Sequence, residues 1–272
     1  MSTTPTFDPM DLHTRNLARL GPRSVVVAGY PGSGAALVGN ILTEAGIGYL
    51  DPYTEVLHTD RQVTAAPERL DYRSRLAAAH RLDRASGREV DCGQPQFVKT
   101  HLYPEAFAGL RPAGVVLLVR DPRDAVHSYY RWRLGFSENG EHGSFTEFLR
   151  RPARSGLVPP LDWAHFNLSW AEHGLDARML RFEELKTDPI AVMRRLLADF
   201  GVDPEPAVLA RAVERSSFEA MRRHEDDVAD SGARIMRSGL VGEWRTWYEG
   251  ELAACFADER VRRAGARFGY VI

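Results

Sequence analysis

Cysteine is scarce in this chain of 272 residues, and so is any excess of charge. The two cysteines, Cys92 and Cys255, lie in no metal-ligand spacing, which excludes a disulfide framework and a cysteine-based zinc site. The 35 basic and 37 acidic residues leave a net charge of −2, so no global field attracts nucleic acid or a membrane surface. Long apolar runs are missing as well, since none reaches the ~18 residues of a membrane-spanning helix. Without a signal-peptide pattern at its start, we expect a cytoplasmic protein.

Two common nucleotide-binding motifs are also absent. No Gly-Lys-Ser or Gly-Lys-Thr completes a Walker A loop, and no complete GxGxxG is present. A strand at 24–28 nevertheless runs into the turn Pro31-Gly32-Ser33-Gly34 and then into a helix from Ala35 to about Glu44. Backbone N–H groups at the start of such a helix converge on one concavity, where the helix dipole favours an anion. The segment therefore predicts a phosphate-binding loop.

Short apolar strands alternate with helical segments along most of the chain. Strands are predicted at 24–28, 47–50, 96–98, 115–119 and 177–182, and helices at 35–44, 67–85, 122–132, 145–149, 161–172, 189–200, 206–214 and 244–256. This alternation predicts an α/β fold in which helices flank a central parallel β-sheet on both faces. We expect residues 1–22 to form a flexible arm, residues 23–272 a single domain, and residues 222–238 a mobile segment.

An arginine and a serine around the fourth strand form a second candidate phosphate site. Arg120 follows the buried run 115–119, and Asp121-Pro122 then starts a helix with a favourable acidic residue, Asp124, in its first turn. Ser128 lies eight residues after Arg120, which is about two helical turns. A guanidinium at a strand's carboxyl end and a hydroxyl on the following helix can bind one phosphate together.

Six segments, in this order, resemble motifs of the cytosolic-type sulfotransferase family. They are YPGSGAAL at 30–37, KTH at 99–101, RDPRDAVHSYY at 120–130, FEEL at 182–185, SFEAM at 217–221 and RSGLVGEW at 237–244. The resemblance spans 25 to about 256 and implies a three-layer P-loop-like fold. It also implies transfer of a sulfuryl group from 3′-phosphoadenosine 5′-phosphosulfate (PAPS), with the product PAP and without a metal, to a hydroxyl of a small-molecule acceptor.

The resemblance also implies roles for individual residues. It assigns the 5′-phosphosulfate to Pro31, Gly32, Ser33, Gly34, Ala35, Ala36 and Leu37, the 3′-phosphate to Arg120, Ser128, Arg237, Ser238 and Gly239, and adenine to Phe182, Ser216, Phe218 and Met221. An arginine fork suits a phosphate dianion, which supports the second of these assignments.

Several positions depart from the family pattern. Gly32 replaces the loop lysine that neutralises the bridging oxygen, and Ala35 and Ala36 replace two threonines. Leu37 stands where a tryptophan usually stacks on adenine, and Ser238 replaces a basic residue. Because charge in the transition state needs a positioned cation, Lys99 is the candidate to supply it, with an arginine of 135–154 as the second.

His101 is the candidate general base, since the pKa of histidine lies near working pH. Lys99 lies two residues before it, on the same side of an extended chain. The alternatives are a P-loop-like phosphoryl transferase (a kinase), which requires the missing loop lysine, and a catalytically inactive PAP- or nucleotide-binding protein. The family's C-terminal dimer motif KTVxxxE is not recognisable, so the oligomeric state stays open.

Overall fold

The structure, a computed structural model, describes residues 9–57, 63–65, 95–135, 143–228 and 236–272. Its centre is a five-stranded sheet with the order β2-β5-β1-β6-β7, in which all neighbouring strands are parallel. The strands are β1 Ser24–Gly29, β2 Tyr49–Leu50, β5 Gln96–Thr100, β6 Gly114–Val119 and β7 Ala177–Arg181, and a hairpin pairs β3 Glu55–Leu57 with β4 Val63–Ala65. Every residue of β1 and β6 is buried, as expected for central parallel strands covered on both faces.

Helices cover both faces of this sheet. They are α1 Pro9–Leu17, α2 Ala35–Glu44, α3 Pro122–Gly135, α4 Phe145–Arg150, α5 Pro159–Glu172, α6 Phe182–Thr187, α7 Pro189–Ala198, α8 Pro206–Arg215, α9 Phe218–Val228, α10 Gly250–Ala254 and α11 Glu259–Arg267, with 3₁₀ turns at Pro104–Phe107 and Glu243–Thr246. Local signals define several starts: Ser144 forms a capping box with Glu147, and Asp188 caps α7.

Two apolar cores lie on opposite faces of the sheet. Val26 and Ala28 of β1 point into the core that α3, α5 and α11 cover, where Trp163 and Trp170 are fully buried. Val25 and Val27 point to the other face, against α2, α7 and α8. This alternation follows from the two-residue repeat of a strand. The predicted α/β fold with a central parallel sheet between helical layers is therefore confirmed.

The N-terminal region differs from the flexible arm that we expected for residues 1–22. Residues 9–17 form α1, and its side chains His13, Asn16 and Leu17 are buried. Asn16 binds three backbone groups: its Nδ2 donates to the carbonyls of Pro52 (3.2 Å) and Glu55 (2.7 Å), and its Oδ1 accepts from the N–H of Leu57 (3.0 Å). The sequence pattern missed this helix because its stabilising contacts are with residues about 40 positions away.

Further predictions of secondary structure need correction. β5 extends to Thr100, and Phe182 begins a helix instead of ending a strand. The segment expected to be mobile from 222 is helical as far as Val228, while 229–235 lie outside the described residues. The helix predicted at 244–256 is a 3₁₀ turn followed by α10, and α11 was not predicted. The predicted helix at 67–85 lies outside the described residues.

The described residues contain neither a membrane-spanning helix nor a metal-binding cluster. None of their helices is long and apolar enough to cross a membrane. In the same part of the chain, no group of three or more His, Cys, Asp or Glu side chains is arranged to hold a metal ion.

Candidate active site

The predicted phosphate loop lies between β1 and α2, at the carboxyl edge of the sheet. Gly32 and Gly34 have positive φ angles of 89° and 101°, which bend the chain so that α2 starts immediately after the turn. Within the described residues, the N–H groups of Gly34, Ala35 and Ala36 have no acceptor. The hydroxyl of Ser33 is buried and also lacks a partner there. These unpaired donors lie at the loop where the sequence predicts an anion-binding concavity.

Arg120 connects this loop to a distant C-terminal segment. Its Nη1 donates to the carbonyl of Gly32 (2.9 Å), and its Nη2 donates to the carbonyl of Leu240 (3.0 Å). The guanidinium also lies over the ring of Phe182, 4.4 Å from the ring centroid. Its Nε is buried without a partner among the described residues, and burial lowers the pKa of this side chain. Arg120 therefore keeps its Nε–H, a buried donor, without a partner among the described residues, in a dry environment that strengthens a bond to an anion.

Asp124 holds the segment 236–244 against α3. Its carboxylate accepts hydrogen bonds from the N–H of Gly242 (2.6 Å) and the N–H of Trp244 (2.9 Å). It also forms an ion pair with Arg120, at 3.8 Å. Burial raises the pKa of Asp124 more than these partners lower it. One carboxylate thus orients both Arg120, the predicted phosphate-binding arginine, and the segment that contains Arg237.

Three predicted 3′-phosphate residues of the C-terminal segment interact with each other or with neighbouring groups. Both terminal nitrogens of Arg237 donate to Glu243, and the hydroxyl of Ser238 donates to the same carboxylate at 3.1 Å. These bonds and the charge of Arg237 lower the pKa of Glu243 to about 2. Gly239 has φ +62°, and an added Cβ would lie 2.5 Å from the Phe218 ring. Glu243 thus fixes the direction of the Arg237 guanidinium.

An open cavity of about 450 Å³ lies on the predicted adenine side. Its lining includes Glu183, Lys186, Phe218, Gly239 and Leu240. This size and the aromatic wall suit a nucleobase. The cavity shows that the predicted adenine residue Phe218 and the predicted phosphate residue Gly239 lie side by side.

Four further predicted nucleotide residues are not part of this cavity's lining. Phe182 packs against Gly34, where an added Cβ would be 2.4 Å from its ring. Ser216 is fully buried, and its hydroxyl has no partner in the described part of the chain. Met221 is buried, and its sulfur accepts from Asn40 Nδ2 of α2 at 3.3 Å. Ser128 is half-buried on α3, two turns after Arg120.

His101 follows β5 and lies next to the strand that leads into the phosphate loop. Its Nδ1 is 2.6 Å from the carbonyl oxygen of Gly29. Because a carbonyl can only accept, Nδ1 carries the proton and Nε2 keeps its lone pair. Burial first, and the charge of Lys99 second, lower the pKa of His101 to about 3. The side chain is therefore a neutral imidazole in the tautomer that can accept a proton at Nε2. Its pKa does not lie near working pH, as the sequence analysis expected of a general base, because the side chain is buried.

Lys99 is paired with an acidic residue that the sequence analysis did not identify. Its Nζ donates to Asp51 Oδ2 at 2.9 Å, and the Asp51 side chain is buried. β2 and β5 are parallel with Leu50 opposite Val98, so the next pair in that register is Asp51 and Lys99. The sequence offers one signal, the Asp51-Pro52 that follows the predicted strand 47–50, but the partner of Asp51 depends on which strand lies beside this one. The positive charge of Lys99 is therefore partly neutralised by Asp51.

The comparisons with known proteins agree with this geometry. A family model described as "Sulfotransferase domain" matches residues 22–258. Sulfotransferase 1E1 of Cavia porcellus is 26% identical over 176 residues, which are 58% of each chain. Sulfotransferase 6B1 of Pan troglodytes is 25% identical over 183 residues, 64% of this chain and 60% of the relative. The chain thus spans about three fifths of the length of the curated relatives it matches.

Two solved structures share the fold at low sequence identity. Mouse sulfotransferase SULT7A1 complexed with PAP superimposes with a TM-score of 0.62 and 17% identity, covering 98% of this chain and 94% of that one. Retinol dehydratase in a complex with retinol and PAP has a TM-score of 0.59 and 21% identity, covering 94% and 85%. Since the family model matches most of the chain, including the phosphate loop, Arg120 and His101, this protein belongs to the sulfotransferase domain family.

Proposed function

We propose that this chain transfers a sulfuryl group from PAPS to a hydroxyl group of a small-molecule acceptor such as an alcohol, a phenol or a sugar. The observation that carries the proposal is the Nδ1–H of His101 bound to Gly29, which leaves an unprotonated Nε2 beside the phosphate loop. PAP in the two related structures supports PAPS as the donor, and the retinol bound to one of them supports a small organic acceptor.

The 5′-phosphosulfate would be held by groups that lack partners among the described residues. These are the N–H groups of Gly34, Ala35 and Ala36 and the hydroxyl of Ser33. On the other side, Arg120 Nε, Ser128 and the 237–239 segment would bind the 3′-phosphate. Phe182, Ser216, Phe218 and Met221 would surround adenine. The buried unpaired donors fit this group, because each would cost free energy if it stayed unpaired.

The proposed reaction is an in-line displacement at sulfur. The acceptor oxygen forms a bond to sulfur while the bond from sulfur to the 5′-phosphate oxygen breaks, and the acceptor proton moves to His101 Nε2. Loop amides and Lys99 stabilise the negative charge that develops on the oxygens. Asp51 neutralises part of the Lys99 charge, so the backbone amides carry more of this task than they do where the loop has a lysine. No metal is needed for these steps.

A thermal-shift series tests the donor. At 100 times its dissociation constant a ligand adds about 2.7 kcal/mol, which raises Tm by several degrees for a chain of this length. We expect a shift with PAP and none with 5′-AMP, because 5′-AMP lacks the 3′-phosphate that Arg120 recognises. A shift with ATP-magnesium alone would favour the kinase alternative.

Turnover with His101→Ala tests the base. We expect kcat to fall by about 10² to 10⁴-fold while PAP affinity stays within a few fold, since general-base catalysis contributes that much. An unchanged kcat would refute the assigned role.

PAP binding without any transfer by the unmodified protein would favour the inactive nucleotide-binding alternative, which the alanines at 35 and 36 motivate.

We also propose that residues 23–272 form one cytoplasmic catalytic domain without nucleic-acid or membrane partners.

A further inference from the structure

The tripeptide Asp51-Pro52-Tyr53 lies directly beside Lys99-Thr100-His101. It follows β2 in the chain, and β2 is parallel to β5, so the carboxyl ends of both strands reach the same edge. Asp51 binds Lys99, and its Oδ1 also accepts from the N–H of Tyr53 at 3.2 Å. The ion pair therefore fixes the turn that presents the Tyr53 side chain.

Tyr53 makes two contacts with His101. The backbone N–H of His101 donates to the Tyr53 hydroxyl oxygen at 2.9 Å. The phenol ring stacks on the imidazole with 5.6 Å between the centroids and an interplanar angle of 26°. Burial raises the pKa of Tyr53 well above its usual value, so the hydroxyl stays neutral and protonated. Tyr53 thus contacts both the main chain and the ring of the candidate base.

Helix α1 also contacts Tyr53 and its surroundings. The His13 ring lies 4.7 Å from the Tyr53 ring, and His13 Nε2 is 3.2 Å from the Thr100 hydroxyl. Asn16 holds the carbonyl of Pro52. Tyr53 is therefore fixed on its backbone by Asp51 and Asn16 and on its ring by His13, which leaves it little freedom to move away from His101.

We propose that Tyr53 is a positioning residue that fixes the backbone and ring orientation of His101 through its hydroxyl group and ring face. This proposal rests on the proposed function, because the orientation matters only if His101 accepts a proton. The His101 ring is held at Gly29 by Nδ1 and on one face by Tyr53. The two contacts together direct Nε2, and loss of either one lets the ring turn. Small displacements of a catalytic group cost large factors in rate.

The variant Tyr53→Phe removes only the hydroxyl and keeps the ring. Tyr248→Phe is a matched control, because it also removes one phenol hydroxyl. The Tyr248 ring packs against Trp247 and Phe256, which are more than 140 positions from His101 in the sequence. The first readout is amide hydrogen exchange of the PAP-bound protein, resolved by NMR. We expect exchange of the His101 amide to become at least about tenfold faster in Tyr53→Phe and to stay unchanged in Tyr248→Phe.

The second readout is turnover of PAPS with 2-naphthol as the probe acceptor. We expect Tyr53→Phe to lower kcat about tenfold, with KM for PAPS and Tm close to those of the unmodified protein. An unchanged His101 amide, or a kcat within twofold of the unmodified protein, would overturn the proposal. If the unmodified protein neither binds PAP nor turns over PAPS, the proposed function fails, while amide exchange of the free protein still decides whether Tyr53 holds His101.

Discussion

Gly32 occupies the position of the loop lysine in the sulfotransferase motif. The surroundings of Gly32 explain why glycine stands there. An added Cβ would lie 2.3 Å from the carbonyl oxygen of Ala125 and 3.1 Å from the amide nitrogen of Tyr129, both in the backbone of α3. The residue also has φ +89°, where side chains are strained. The loop therefore packs directly on α3, and a side chain at 32 cannot enter without moving one of them.

The variant Gly32→Lys is consequently expected to lose function instead of regaining the family's cation. We expect PAP affinity to fall at least tenfold and the free energy of unfolding to fall by about 2 kcal/mol or more, from strain and overpacking together. Calorimetric titration with PAP and urea unfolding measure the two effects. Gly156→Lys is the matched control, since φ is +79° there but nothing lies within 4 Å of an added Cβ. Higher turnover in Gly32→Lys would show that the loop can move away from α3.

At the scale of elements, the site depends on segments held together by single buried side chains. α1 holds the 52–57 segment through Asn16, and α3 holds the 236–244 segment through Asp124. In both cases one side chain satisfies two or three backbone groups that have no partner in a regular ladder. Such residues stabilise irregular segments at a few points, so each substitution has an effect that reaches beyond its own contacts.

Asp124→Asn tests the link between α3 and the C-terminal segment. The amide cannot accept from the N–H groups of Gly242 and Trp244 as strongly as the carboxylate does, and it removes the ion pair with Arg120. We expect PAP affinity to fall about 10- to 100-fold, because Arg120 and the 237–239 segment lose their alignment. Isothermal titration with PAP measures it. Asp258→Asn, a change in the cap of α11, should leave the affinity unchanged.

Asn16→Ala tests the link between α1 and the 52–57 segment. The substitution leaves the carbonyls of Pro52 and Glu55 and the N–H of Leu57 without their buried partner. We expect the free energy of unfolding to fall by about 2 to 4 kcal/mol, which urea titration would measure. A loss below about 0.5 kcal/mol would mean that water replaces the side chain and that α1 contributes little.

For the whole molecule, three histidines make stability depend on pH. Burial is the largest cause that lowers the pKa of His13 and His127 to about 4 and of His101 to about 3, from an ordinary 6.5. At a pH between the folded-state pKa of each histidine and 6.5, the unfolded chain binds more protons than the folded one. The free energy of unfolding therefore rises with pH in this range. Stability is therefore complete above about pH 6.5 and is lost as the pH falls toward 4.

We therefore expect the free energy of unfolding to change by at most about 4 kcal/mol per pH unit between pH 6 and 4. Each of the three histidines contributes about 1.4 kcal/mol per pH unit when it titrates fully. Urea unfolding at pH 7, 6 and 5 would measure it. His13→Gln removes one of the three titrating groups and should make the slope smaller by about a third. Equal stability at pH 7 and pH 5 would show that the histidines become protonated in the folded protein without cost.

The sequence by itself determined the core of the fold, and it also supplied the prediction of the nucleotide site. The apolar strands 24–28 and 115–119, the helix starting at Ala35 and the helix after Asp121-Pro122 depend on local pattern and capping, which neighbouring residues carry. The sequence analysis missed α1, whose buried contacts are with residues about 40 positions away. It also missed α11 and the helical part of 222–228, although Asp258 caps the start of α11.

Only the tertiary structure decided how the candidate catalytic residues are held. Asp51 meets Lys99 because β2 pairs with β5, a choice of neighbour that no local pattern encodes. Two further contacts also join distant parts of the chain. The Tyr53 hydroxyl accepts from the N–H of His101, 48 positions away, and the Asp124 carboxylate accepts from N–H groups of the 242–244 backbone, up to 120 positions away. Motifs predict which groups bind the nucleotide, whereas strand order and helix packing specify which neighbours orient those groups.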